Sequence, residues 1–305
     1  MADRTYEFVQ LDVFTQTLLT GNPLAIFTDA RGLDDGEMQA LAREMNLSET
    51  TFILPRDPAS EAHKVRIFTV AEELPFAGHP TLGTALHLYA SDSAPNSKES
   101  AEITLDLKAG KIPVRFTANS KNGEPNRVDG QVFGEMRQRD PEFGVAFSRE
   151  EVARVLGIAA DEIPWPIQIV STGLPFAIVG IRNQETLANL NFPHAQAAEF
   201  LKNSEAKFFY FLCPQRREKN RLEARARMFF YGGEDPATGS AAGCAASWIV
   251  QHGIAKSDER VVIRQGVEIH RPSEMYVRAT RDGEHVTNVR VGGYAVEVLR
   301  GIVTL

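Results

Sequence analysis

Gly233-Glu234-Asp235-Pro236-Ala237-Thr238-Gly239-Ser240-Ala241-Ala242-Gly243 is a breaker-rich run that opens directly into the apolar segment Cys244 to Val250. It reads as a loop delivering a helix. From Ser240 to Val250 nearly every residue is Ala, Gly, Ser, Trp, Ile or Val, so this helix lacks the solvated face of an amphipathic surface helix and belongs in a core. Its first backbone N–H groups have no partners within the helix, and together with the macrodipole they favour an anion in front of the loop.

The same device occurs earlier in the chain. A shift of 161 positions lays Arg66-Ile67-Phe68 on Arg227-Met228-Phe229, Glu73 on Glu234, Pro75 on Pro236, Gly78 on Gly239 and His79 on Ser240, without a gap. A shift of 152 lays Gly21, Pro23, Ala25 and Ile26 on Gly173, Pro175, Ala177 and Ile178. Two matches in the same order indicate an internal duplication, and hence two similar domains.

Composition fits a globular protein of that size: 305 residues, 43% hydrophobic, with a net charge of −7 spread along the chain. The one basic cluster, Arg216-Arg217-Glu218-Lys219-Asn220-Arg221, is short and interrupted by a glutamate, which reads as a solvated turn and not a nucleic-acid partner surface. Met1 to Phe14 carries charges throughout, so no signal peptide is expected, nor any membrane span, and the cytoplasm is the expected location. Cys213 and Cys244 lie in no C-x-x-C pattern and read as free thiols. The seven histidines include no tight ligand spacing, so no protein-bound metal is expected. The Gly-rich loop lacks the lysine of a nucleotide phosphate site.

Alternation predicts strands at 6–14, 23–27, 50–54 and 65–70, with an amphipathic helix from Asp34 to Met45. Glu49 falls where helix gives way to strand, at the rim of a sheet. The polar run Ser91 to Ser100 reads as a surface loop, and Ala118 to Arg127 as a linker. The second half repeats the order of strands and helices. An α+β fold follows, with two pseudo-symmetric domains, each a barrel-like sheet around one buried helix, and an active cleft between them. The expected domains are residues 1–120 and 121–284, with the strand segment 285–305 returning to the first.

Several segments, in order, resemble the PhzF phenazine-biosynthesis family of the diaminopimelate epimerase fold. They are Leu11-Asp12-Val13-Phe14-Thr15 with Gly21-Asn22-Pro23-Leu24-Ala25, Asn46 to Phe52, Glu73 to Thr81, Glu234 to Ala241, Gln265-Gly266 with Arg271-Pro272-Ser273, and Val291-Gly292-Gly293. His270 departs from the pattern, since the family usually carries Gly before Arg-Pro-Ser. The resemblance implies an isomerase or epimerase that needs no cofactor, moves a proton between carbons of a small carboxylated substrate, and forms a homodimer. It implies that Glu49 is the general acid/base, with His79, Asp235 and Ser240 assisting. The related epimerases use paired cysteines at the two helix-start loops; here those loops contain none, which excludes a two-thiol mechanism.

The chemistry is coherent on its own terms. A positioned acid/base contributes roughly 10²- to 10⁴-fold, and a carboxylate flanked by Leu47 and Phe52 is a candidate for a desolvation-raised pKa that lets it both take and return a proton. Helix starts at Gly78-His79 and at Thr238-Gly239-Ser240 would bind a substrate carboxylate and stabilise developing charge. Each residue also has a plainer reading: Glu49 as a surface carboxylate, His79 as a satisfied core histidine, Asp235 and Ser240 as helix caps. An amino-acid racemase on the same fold and a non-catalytic binding protein are the competing functions.

Overall fold

The structure, a computed structural model, describes residues 4–91, 100–117, 132–217, 220–230 and 233–305. The expected linker 118–127 lies outside these, as do 92–99 of the expected surface loop, Glu218 and Lys219 of the basic cluster, and Gly232. The chain divides into two compact units, Met1–Met136 with Gly292–Leu305, and Arg137–Val291.

In the first unit the elements are β1 (Thr5–Val13), β2 (Asn22–Phe27), α1 (Asp35–Met45), β3 (Glu49–Ile53), β4 (His63–Phe68), β5 (Glu73–Leu74), α2 (Gly78–Ser91), β6 (Ser100–Leu107), β7 (Gly110–Thr117) and β8 (Phe133–Arg137). The sheet runs β1–β2–β3–β4–β6–β7–β8 and is antiparallel except at β2/β3 and β4/β6. Helix α2 packs against β1, β2, β3 and β6, and is buried from Gly78 to Leu86. Gly83 makes that approach possible, because a Cβ there would lie 2.7 Å from side-chain carbons of both Leu24 and Val13. Helix α1 covers the other face of β3 and β4. It begins at a capping box between Asp34 and Glu37 and stops at left-handed Asn46, and its Met38, Leu41 and Ala42 join Phe27, Phe52 and Phe68 in an outer core.

The second unit repeats this plan. It comprises β9 (Glu142–Phe147), α3 (Arg149–Leu156), β10 (Ile167–Ser171), β11 (Pro175–Gly180), α4 (Gln184–Ala188), α5 (His194–Leu201), β12 (Phe208–Arg216), β13 (Leu222–Phe230), β14 (Gly233–Glu234), α6 (Gly239–Gln251), β15 (Val261–Gln265), β16 (Ser273–Asp282) and β17 (His285–Gly293). The ladder β9–β10–β11–β12–β13–β15–β16 again has two parallel steps, β11/β12 and β13/β15. Helix α6 is buried at every position from Ala241 to Val250 and packs on β10, β11, β12 and β16. Its Trp248, fully buried, donates its indole N–H to the Pro166 carbonyl. Helices α3, α4 and α5 close a second core on the outer side of this sheet. The chain ends in β18 (Ala295–Thr304), which lies antiparallel to β1 in the first unit.

The duplication is visible atom by atom. Arg66 grips Glu73 with two hydrogen bonds, 2.8 and 2.9 Å, and Arg227 grips Glu234 at 3.0 and 2.7 Å. Each guanidinium also sits over a phenyl ring, Phe68 or Phe229, at 5.0 and 4.7 Å from the centroid. The pairs β4/β5 and β13/β14 carry these residues, and each delivers the chain into the buried helix of its unit. A bidentate Arg–carboxylate clamp fixes the direction of approach more firmly than a single contact does.

His270 adopts φ 59°, the left-handed conformation that costs a side chain with a Cβ about 1–2 kcal/mol. The turn that glycine would make easily is therefore kept here with a histidine. Glycine also loses about 0.5–1 kcal/mol through its freer unfolded chain, so His270→Gly is expected to stabilise by roughly 0.5–1 kcal/mol. A thermal midpoint that stays put or falls would contradict this.

Candidate active site

Strands β2 and β3 are parallel neighbours, with Leu24 opposite Glu49. Their beginnings therefore lie at one edge of the sheet. The start of α2 comes to that same edge. It carries Gly78 and His79 there, so Asn22, Glu49 and His79 meet, although 57 residues separate the first from the last. His79 Nδ1 is 3.5 Å from Glu49 Oε2 and 3.4 Å from Asn22 Nδ2. The His79 side chain is almost wholly buried, while that of Glu49 keeps 17% of its surface open. Thr51 and Thr84 share a buried hydroxyl hydrogen bond of 2.9 Å that ties β3 to α2 behind this group.

Burial drives the His79 pKa down to about 3, with the Pro23 backbone carbonyl opposing the shift. The ring is thus neutral at ordinary pH. A neutral imidazole offers Glu49 a donor in one tautomer and an acceptor in the other. It accommodates the carboxylate in either protonation state without presenting a fixed charge, as a group that must both take and return a proton requires.

The register also locates the counterpart of Glu49. Phe176, at the shift of 152 from Leu24, lies opposite Phe208 in the parallel pair β11/β12. Phe208 therefore stands where Glu49 does, and Ser240 stands where His79 does. Only the first unit carries a carboxylate at this position.

In the second unit the loop before α6 is held by side chains. Thr238 Oγ1 donates to Asp235 Oδ2 at 2.5 Å, and both residues are 8% exposed. Gln265, fully buried at the end of β15, donates from Nε2 to the Asp235 carbonyl at 2.8 Å and to Thr238 Oγ1 at 2.9 Å. Thr238 occupies the cap position of α6 without capping it, because its hydroxyl is turned to Asp235. The amides of Gly239 and Ser240 consequently begin a helix that its N-cap side chain leaves uncapped. Such a start suits an anion. Ser240 itself is half-buried. Beneath it, Gln138 donates to the Gly239 carbonyl at 2.9 Å and accepts from Thr172 at 2.7 Å; Gly243 leaves room for this, since a Cβ there would lie 1.8 Å from Gln138 Oε1.

The structure thus brings Gly78, His79 and Glu49 together in one unit, and Asp235, Thr238, Gly239 and Ser240 together in the other. Sequence reasoning assigned no role to Asn22, Gln138, Tyr210 or Gln265. Asn22 and Gln265 both sit in stretches whose order matched the family, yet only their contacts reveal what they hold. Cys244 lies inside α6, fully buried, and burial pushes its thiol up to about 11. Among the described residues no group of three His, Cys, Asp or Glu side chains is placed to hold a metal ion, and no helix is long and apolar enough to cross a membrane.

Comparison with known proteins bears on this arrangement. The family model described as phenazine biosynthesis-like protein matches residues 11–301. A trans-2,3-dihydro-3-hydroxyanthranilate isomerase of Pseudomonas fluorescens is 36% identical over 98% of this chain and 100% of its own. An uncharacterized isomerase of Mesorhizobium japonicum is 35% identical over 98% of both chains. Among solved structures, a PhzF-family phenazine biosynthesis protein of Bacillus anthracis matches with a TM-score of 0.83 at 27% identity, covering 99% of this chain and 100% of its own. A hydroxyproline epimerase of Agrobacterium vitis, at 10% identity, shares the fold, with a TM-score of 0.65 over 99% of this chain and 93% of its own. With a family model spanning nearly the whole sequence and isomerases along its full length as relatives, the chain belongs to the phenazine biosynthesis-like family and is an isomerase of the PhzF type.

Proposed function

We propose that this isomerase shifts a proton between carbons of a small carboxylated ring compound of the dihydro-hydroxyanthranilate class, with Glu49 taking the proton from one carbon and returning it to another. The observation that carries the reading is the placement of Glu49 against buried, neutral His79 at the edge where β2, β3 and α2 begin. His79 steadies Glu49 in both protonation states. At the start of α6, Gly239 and Ser240 offer backbone amides to a carboxylate, and Asp235 and Thr238 shape the approach to them. Gly78 plays the corresponding part at the start of α2. Neither a metal nor an organic cofactor enters the reaction.

Thiol-based racemisation is disfavoured by the one cysteine near a helix start. Cys244 is buried and held as a neutral thiol, far from the thiolate that such chemistry needs. A cytoplasmic homodimer belongs to the same proposal, and gel filtration returning a monomer would count against the second word. The decisive experiment is to incubate the enzyme in D2O with trans-2,3-dihydro-3-hydroxyanthranilate and with a panel of other small carboxylates, and to follow C–H signals by NMR. Isomerisation with deuterium entering one ring carbon supports the proposal. Exchange confined to the Cα of an amino acid would replace it with the racemase reading.

A further inference from the structure

We infer that Gln265 is a positioning residue for Asp235, acting through the Thr238 hydroxyl; this rests on the role proposed above for the loop before α6. Gln265 stands at the end of β15, fully buried, and uses all of its hydrogen-bonding capacity on two separate segments, β12 and the loop before α6. Its Oε1 accepts from the Tyr210 hydroxyl on β12 at 2.9 Å and from the Thr238 amide at 3.3 Å. Its Nε2 donates to the Asp235 carbonyl at 2.8 Å and to Thr238 Oγ1 at 2.9 Å.

The directions of these bonds are forced. A tyrosine hydroxyl and a backbone N–H that both point at one amide atom identify that atom as the oxygen, so the nitrogen faces Thr238. The threonine hydroxyl then has a lone pair committed to an incoming N–H. Its own proton must go elsewhere, and the acceptor within reach is Asp235 Oδ2 at 2.5 Å. A chain of donors therefore runs from Tyr210 through Gln265 and Thr238 to the carboxylate. It sets the rotamer of Asp235 by holding Oδ2 in place. Gly266 completes the support: it follows Gln265 at φ 74°, and a Cβ there would lie 2.6 Å from the Pro236 carbonyl, so the strand end and the loop press directly together. The first unit has no glutamine at the end of β6, where Leu107 stands.

Two readouts separate this from mere structural support. The first is a cycle in isomerisation turnover with Gln265→Leu, Asp235→Asn and the double variant. A misplaced polar group costs on the order of 100-fold, so Gln265→Leu is expected to lower kcat 10- to 100-fold with KM little changed, and to add nearly nothing once Asp235→Asn is present. The second needs no turnover: the Asp235 carboxyl, followed by carbon-13 NMR, is expected to titrate at higher pH in Gln265→Leu and in the milder Tyr210→Phe than in wild type, as the hydroxyl bond to the ionised form is loosened. The titratable side chain coupled to it is Tyr210, which burial and Asp235 itself push up and so keep silent in the acid range. Full multiplication of the two penalties in the cycle, or an Asp235 titration identical in all three proteins, would overturn the assignment. If no compound is turned over by wild type, the proposed reaction fails, and the titration still decides the role of Gln265; if Gln265→Leu does not fold, Tyr210→Phe carries both readouts.

Discussion

Glu49→Gln is expected to lower the isomerisation rate at least 100-fold, within the 10²- to 10⁴-fold that a positioned acid/base contributes. Gln preserves the length and planarity of the side chain and removes only the capacity to carry the proton. Glu49 opens β3 with its side chain partly open to solvent, and it forms no part of either hydrophobic cluster, so the variant should fold normally. The same experiment on the duplicated position provides an internal control. Phe208 stands in the corresponding register, and nothing in the proposed reaction depends on its side chain. Phe208→Leu should therefore leave turnover within a few-fold of wild type, while a loss comparable to that of Glu49→Gln would show that the register argument had misplaced the chemistry.

His79 has the second large effect, and it falls on stability. The folded protein holds this ring neutral down to about pH 3, whereas the unfolded chain protonates it near its ordinary value of 6.5. Between those limits the unfolded state binds more protons, so folding stability rises with pH across the window and levels off above it. The slope from one such group rises to about 1.4 kcal/mol per pH unit below pH 6.5, so moving from pH 6.5 to pH 5 costs about 1.6 kcal/mol from His79 alone. In His79→Gln that component disappears. Urea unfolding of both proteins at the two pH values measures it directly. Parallel pH dependence would mean that the ring is protonated, or exposed, in the native protein, and the neutral partner assigned to Glu49 would be lost with it.

Much of this protein is legible in its sequence for a physical reason. The buried helices α2 and α6 declare themselves because an apolar-rich stretch with no Asp, Glu, Lys or Arg offers no face to water, and the loops before them because Gly and Pro stand at the positions where the chain must turn. The gapless shift of 161 marks a real correspondence of Arg66–Glu73 with Arg227–Glu234, two clamps built from the same residues at the same spacing. The shift does not hold everywhere. It would place Tyr210 on Glu49, whereas the strand register places Phe208 there, because the two halves differ in loop length between β2 and β4. A fixed offset cannot follow such a change; hydrogen-bond register can.

The candidate site was only half legible. Glu49, His79, Asp235 and Ser240 carry chemistry that a sequence can nominate. The residues that hold them cannot be nominated this way, since Asn22 reaches His79 from 57 positions away and Gln265 reaches Thr238 from 27. Long-range polar contacts leave no periodic trace. The turn at His270 makes the complementary point, since its left-handed backbone follows from the fold around it and not from the residue that occupies it.

That one carboxylate, and not its surroundings, carries the proton is tested most directly by chemical rescue. Glu49→Ala opens space at the start of β3, and formate supplied in solution is a carboxylate small enough to enter it. Isomerisation of trans-2,3-dihydro-3-hydroxyanthranilate should be lost in the variant and should return in proportion to formate concentration, with no such response in wild type. Wild-type-like turnover by Glu49→Ala without formate would contradict Glu49 as the group that moves the proton.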